Sequence, residues 1–198
     1  MGILLNLTQE YFGDKERDET RIIFNTKEMM PVDLGGSVYW ADRDLERLAG
    51  DTKHEKHFSY KEIGNIKFED DWRLPTMSEY KELHKKNVEH FEHGLPQKTI
   101  QMFSYKTETG ENYIEFQGTG YYAGSDRLDG SGAFGSKVSY SRLTGDIYDE
   151  GTISDEYGNT DEWKQIYAYD ISYYKHTKGS FGIIPDFWYL PVRLVKDK

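Results

Sequence analysis

The sequence predicts an α+β domain: a mostly antiparallel, twisted sheet with one or two packed helices and long loops, preceded by an N-terminal arm. Three observations predict it. The apolar content is aromatic, with 16 Tyr, 10 Phe and 4 Trp in 198 residues, and side chains with an apolar body and a polar tip suit sheets with wet edges. One helix start is strongly marked, at Thr76. Beyond residue 100 the pattern turns to strands and turns. The length fits one domain with a short appendage, burying roughly 70% of the surface its unfolded chain exposes.

Residues 1–30 read as the arm or a leading strand, and 31–198 as the main domain. The arm opens with Ile3, Leu4, Leu5 and Leu7, adds Tyr11 and Phe12, and passes through the charged run GDKERDETR to a strand-like RIIFN. These six apolar side chains are the candidate docking residues of the arm. The start has no basic n-region and too short an apolar run for a signal sequence, so none is expected. No run approaches the roughly 20 apolar residues that span a bilayer.

PVDLGGSVYWADRDL reads as turn, strand and polar segment. Residues 44–70 look charged and irregular, with a short helix around Leu45 to Ala49. Thr76 then marks an N-cap, with Glu79 three residues on completing a capping box and Pro75 setting the entry angle. Met77, Tyr80, Leu83, Val88 and Phe91 line up one apolar stripe, which carries the predicted helix toward Gly94 and Pro96. IQMFSY and NYIEFQ flank KTETGE, a hairpin centred on Thr109-Gly110. GTGYYAGSDRLDGSGAFGS reads as a long surface loop. Later strands are expected over 137–143, 162–174 and 188–195.

The formal charge of −10 and the lack of a basic stripe disfavour nucleic acid and anionic lipid, while leaving a basic or cationic partner open. The absence of cysteine removes disulfides, thiolate metal sites and thiol nucleophiles. Asp126, Asp129, Asp155, Asn159 and Asp161 carry the right oxygens for calcium, but without EF-hand spacing they read as ordinary turns. His54 and His57, and His84, His90 and His93, have metal-compatible spacing, yet their Lys and Glu neighbours mark a solvated face. No serine has a nucleophile elbow, and Gly118-Thr119-Gly120 opens no phosphate loop. No metal, cofactor or catalytic residue is expected, and the chain reads as no enzyme.

Four blocks in order carry a family resemblance. Val32-Asp33-Leu34-Gly35 with Ser37-Val38 and Trp40-Ala41 comes first. Trp72-Arg73-Leu74-Pro75-Thr76, with Glu79, Tyr80 and Leu83, is the most specific. Gly120-Tyr121-Tyr122 with Gly124-Ser125 follows, and Pro191-Val192-Arg193 with Val195-Lys196-Asp197 closes. Together they resemble the Fibrobacter succinogenes major paralogous domain family, which has a C-type-lectin-like fold and distant relatives among phage tropism determinants. The chain departs from the family at Ala123-Gly124-Ser125, where Trp-Ser-Ser is frequent, and at Leu194, where cysteine is frequent. The resemblance implies that the first and last strands pair, with helices packed on the sheet. It also implies that Trp40, Trp72, Arg73, Leu74, Pro75, Thr76 and Glu79 are a folding signature. Fold relatives include formylglycine-generating oxygenases, whose chemistry needs cysteine. They also include calcium-dependent lectins, whose Glu-Pro-Asn or Gln-Pro-Asp triplet is matched by neither Leu95-Pro96-Gln97 nor Ile184-Pro185-Asp186, and whose Trp-Asn-Asp strand is absent.

The residues left for function form a binding surface: Tyr121, Tyr122, Ser125, Asp126, Arg127, Tyr148, Tyr157 and Trp163, with Phe134 nearby. Tyr and Trp give broad contact at low entropy cost. The expectation is a binding and assembly protein, a bacteriophage virion component with a structural or host-adhesion role. Its partners would be other protein chains, either copies of itself or virion proteins, with a surface glycan or receptor also open. The alternative is a secreted or cell-surface glycan- or protein-binding module of a bacterium.

Overall fold

The computed structural model describes residues 23–49, 56–92, 100–117, 121–123, 126–128, 142–170 and 180–198. The docking residues Ile3 to Phe12 lie outside these, as do Ser125, Asp129 and Phe134. Described strand pairs are all antiparallel, and two α-helices accompany them. The molecule is thus mostly antiparallel sheet in a mixed α+β arrangement.

The ends of the main domain meet. β2 (Pro31–Asp33) and β15 (Val195–Asp197) flank β3 (Val38–Ala41) in one three-stranded sheet. Val195 lies opposite Trp40 on β3. Arg73 extends this edge: its N–H donates to Val195 O at 2.8 Å and its carbonyl accepts the Val195 N–H at 2.9 Å. Ahead of the domain, β1 (Ile23–Phe24) pairs with β4 (Arg47–Ala49), and Met29 is buried in the core.

β5 (Phe58–Ser59) leads into a short helix, α1 (Tyr60–Ile63). The main helix is α2 (Met77–Lys86). The Thr76 hydroxyl accepts the Glu79 N–H, and the Glu79 carboxylate accepts the Thr76 N–H at 2.7 Å, so the capping box forms as its residues predict. α2 buries Tyr80 and Leu83. It ends earlier than the apolar stripe suggests. Asn87 turns extended (φ −112°, ψ 153°), and its side-chain amide donates to Leu83 O and Leu34 O, closing the helix end. The next residues form a strand, β6 (Val88–Glu92), paired with β7 (Ile100–Thr107). A ladder partner outweighs a marginal last turn of helix.

β7 and β8 (Gly110–Gln117) form the expected hairpin around Thr109-Gly110. β9 (Tyr121–Ala123) and β10 (Asp126–Leu128) make a small hairpin within the expected loop, and β9 joins β14 (Tyr189–Leu190). The longest ladder joins β11 (Arg142–Ser154), β12 (Thr160–Asp170) and β13 (Ser180–Pro185). β4 replaces the helix expected at Leu45 to Ala49. There Leu45 and Arg47 point inward while Leu48 faces out, a period of two. The buried Arg47 guanidinium reaches Glu62 of α1 at 2.9 Å.

Two cores result. One gathers Leu45, Phe58, Ile63, Trp72, Leu74, Leu143, Ile166, Leu190 and Leu194. The other lies beneath α2 and holds Leu34, Trp40, Leu83, Phe103, Ile114, Phe116 and Val195 around two stacked tyrosines, Tyr80 and Tyr169, with ring centroids 4.2 Å apart. Between them the half-buried Asp44 carboxylate binds the buried guanidiniums of Arg193 at 2.7 Å and Arg142 at 2.9 Å. Both guanidiniums also lie over the Phe116 ring. Among the described residues no helix is long and apolar enough to cross a membrane.

Candidate functional site

β13 pairs with β12 only along Gln165 to Asp170. Beyond Gln165, β11 and β12 continue as a two-stranded ribbon to the turn at 155–159. The ribbon's root is tied to the body. Thr144 donates its hydroxyl to Tyr167 O at 2.6 Å, Asp146 accepts the Met77 N–H of α2 at 2.6 Å, and Gly145 N–H donates to Pro75 O at 2.9 Å. This explains the Trp-Arg-Leu-Pro-Thr block. Trp72 and Leu74 fill the first core, Arg73 bridges to the C-terminal strand, and Pro75 holds the ribbon root. The Arg73 guanidinium also pairs with Glu79 and with Asp197, both at 2.6 Å.

The tip is a self-contained turn. One Asp155 oxygen accepts the N–H groups of Tyr157 and Asn159, and the other accepts the Asn159 amide. These hydrogen bonds, the Asn159 side chain's first, hold the Asp155 carboxyl below its ordinary value. Gly158 adopts φ +81°, where a Cβ is strained. Of the calcium-like oxygens, those of Asp155 are thus committed to the turn, and Tyr157 stands at its apex, 82% exposed.

Register separates the ribbon's two faces, because residues opposite each other share a face and alternate along the strand. One face carries Asp149 opposite Gln165, Gly151 opposite Trp163, and Ile153 opposite Asp161. Tyr148 is the extra residue of a bulge between Ile147 and Asp149, and its ring meets Tyr167 edge-on at 5.4 Å. Ile183 of β13 lies opposite Tyr167 on the same face. Gly151 has room for the indole: a Cβ there would sit 2.9 Å from Trp163 Cζ2, so the ring lies across the glycine. Tyr148, Ile153 and Ile183 are exposed, and Trp163 and Tyr167 half-buried. The other face carries Glu150, Thr152, Ser154, Thr160, Glu162 and Lys164, with Lys164 and Glu150 paired at 3.6 Å.

The ribbon therefore gathers three residues expected at a binding surface: Tyr148, Tyr157 and Trp163. Tyr121, Tyr122, Asp126 and Arg127 fall instead in β9 and β10, in a different sheet, and their side chains lie outside the described part. The expected set lacked Ile153, Tyr167, Ile183, Asp149 and Asp161. Only alternation about Trp163 hints at them, and the apolar pair Ile166-Tyr167 breaks it where both faces of β12 become covered.

A second polar group lies inside. The His84 ring packs edge-on to Phe103, meets Tyr169 Oη through Nε2, and sets Nδ1 3.3 Å from Glu89. Gln101 donates to the same Glu89 at 2.6 Å. His84 is thus an interior residue, not part of a solvated face, and His57 is buried as well. Burial raises the Tyr169 hydroxyl's pKa well above the ordinary value and keeps it protonated. With Tyr169 fully enclosed, the group braces the helix against the sheets. Among the described residues no cluster of three metal-ligating side chains occurs. Comparison with family models, curated proteins and solved structures finds no match for this chain.

Proposed function

We propose that this chain is a non-catalytic binding and assembly protein of a bacteriophage particle, built on a C-type-lectin-like domain, with the β11–β12 ribbon as its contact surface. The observation that carries the reading is the ribbon itself. A two-stranded ribbon is at best marginally stable alone in water, yet this one extends past its sheet and displays Tyr148, Ile153, Tyr157 and Trp163. Neighbouring first and last strands under a capped helix support the lectin-like fold. The apolar residues at Ile3 to Phe12 suit an arm that docks on a second chain.

The test is co-sedimentation with particles from the source. Full-length chain is expected to sediment at fixed stoichiometry, and a variant with residues 149–164 replaced by Asn-Gly is expected to stay in solution. Equal sedimentation of both, or of neither, overturns the reading. One observation favours a surface glycan-binding module instead: an indole laid flat across Gly151 is the shape that stacks on a sugar ring. Saturable binding on a glycan array, lost in Trp163→Ala, would establish that alternative.

A further inference from the structure

The ribbon's charge is unequally divided between its faces. Residues 146–164 hold seven carboxylates against one lysine, so more than half of the chain's formal −10 sits here. On the polar face Lys164 offsets Glu150. On the aromatic face Asp149 and Asp161 are exposed, and neither forms an ion pair among the described residues. One Asp149 oxygen accepts the Glu150 N–H, leaving the other open. Asp161 precedes Trp163 by two residues on β12, and Asp149 faces Gln165, two residues beyond it. The two carboxylates therefore flank the indole along the ribbon, each about 7 Å away at the backbone.

Resting on the ribbon as contact surface, we infer that its occupant is a basic protein segment whose Arg or Lys side chain lies on Trp163 between Asp149 and Asp161, with apolar neighbours on Ile153, Tyr148 and Tyr167. A cation over an indole is attracted by the ring's negative face, and each carboxylate adds an ion pair. The same charge rejects the other occupants. A second copy of this chain brings another −10. Residues 1–22 carry five acidic and three basic side chains and are repelled too. Nucleic acid and anionic lipid have the wrong sign.

The test uses the full chain and three fluorescein-labelled 12-residue peptides, four repeats each of Arg-Gly-Leu, Gln-Gly-Leu or Glu-Gly-Leu, followed by anisotropy. The arginine peptide is expected to bind about tenfold tighter than the glutamine peptide and to weaken as NaCl rises from about 50 to about 300 mM. Asp149→Asn/Asp161→Asn and Trp163→Ala should each cost about tenfold. Asp70→Asn/Asp71→Asn removes the same charge elsewhere and should change nothing. If the arginine peptide binds the two double variants equally, net charge alone is at work and the inference fails. If the glutamine peptide binds as tightly, salt-independently, and Trp163→Ala abolishes it, the cationic partner is wrong but the contact surface stands. If no peptide responds to any ribbon substitution, both fail.

Discussion

Asp44 shows how one side chain determines the fate of two others. Burial raises its pKa, but the Arg142 and Arg193 guanidiniums outweigh that and hold it down at about 2. Removing its charge leaves two arginines buried against Phe116 without an anion. Asp44→Asn is expected to lose about 3–5 kcal/mol in urea unfolding, the usual cost of breaking a buried pair. The sign of the pH dependence follows. The folded carboxyl titrates below its unfolded value of 3.8, so its contribution is present above pH about 4 and lost as pH falls toward 2, about 2 kcal/mol in all. Acid titration should show that loss in the native protein and not in Asp44→Asn. Tyr157, by contrast, is 82% exposed and belongs to neither core, and Tyr157→Ala should stay within about 0.5 kcal/mol of the parent.

Helix α2 is specified locally at its start and by context at its end. Thr76→Ala removes the acceptor for the Glu79 N–H and should cost about 1 kcal/mol. Glu79→Gln keeps an oxygen for the Thr76 N–H but discharges the pair with Arg73. Its loss should shrink with added salt, whereas that of Thr76→Ala should not, a contrast that denaturant midpoints at two ionic strengths will read. The capping box was legible because its partners lie three residues apart. The exit was not, because Val88 and Phe91 fit a helical stripe and a strand edge alike, and only pairing with β7 selects the strand. The same ambiguity hid β4, whose inward Arg47 needs Glu62 of α1 before an arginine can be interior. It hid β13 as well, since a short apolar run names no partner strand.

At the scale of the molecule, closure and display are separate. The fold closes where Val195 sits between Trp40 and Arg73. A chain ending at Leu194 loses that strand, and circular dichroism and proteolysis should report no cooperative native state. Excising residues 149–164 removes the ribbon and one bond to the body, from the Asp186 N–H to Lys164 O, and the melting temperature should move by a few degrees at most. Sequence alone determined the α2 start, the β7–β8 hairpin, the aromatic core material and the net acidic charge. These depend on near neighbours and on composition, which a linear reading contains. Tertiary structure alone decided that His84 is interior and that Asp44 unites two distant arginines. It also decided that Tyr148, Ile153 and Trp163 share a face with two exposed carboxylates, Asp149 and Asp161. Each of these is set by strand register and long-range packing, and a one-residue slip would send the same side chains to the opposite face.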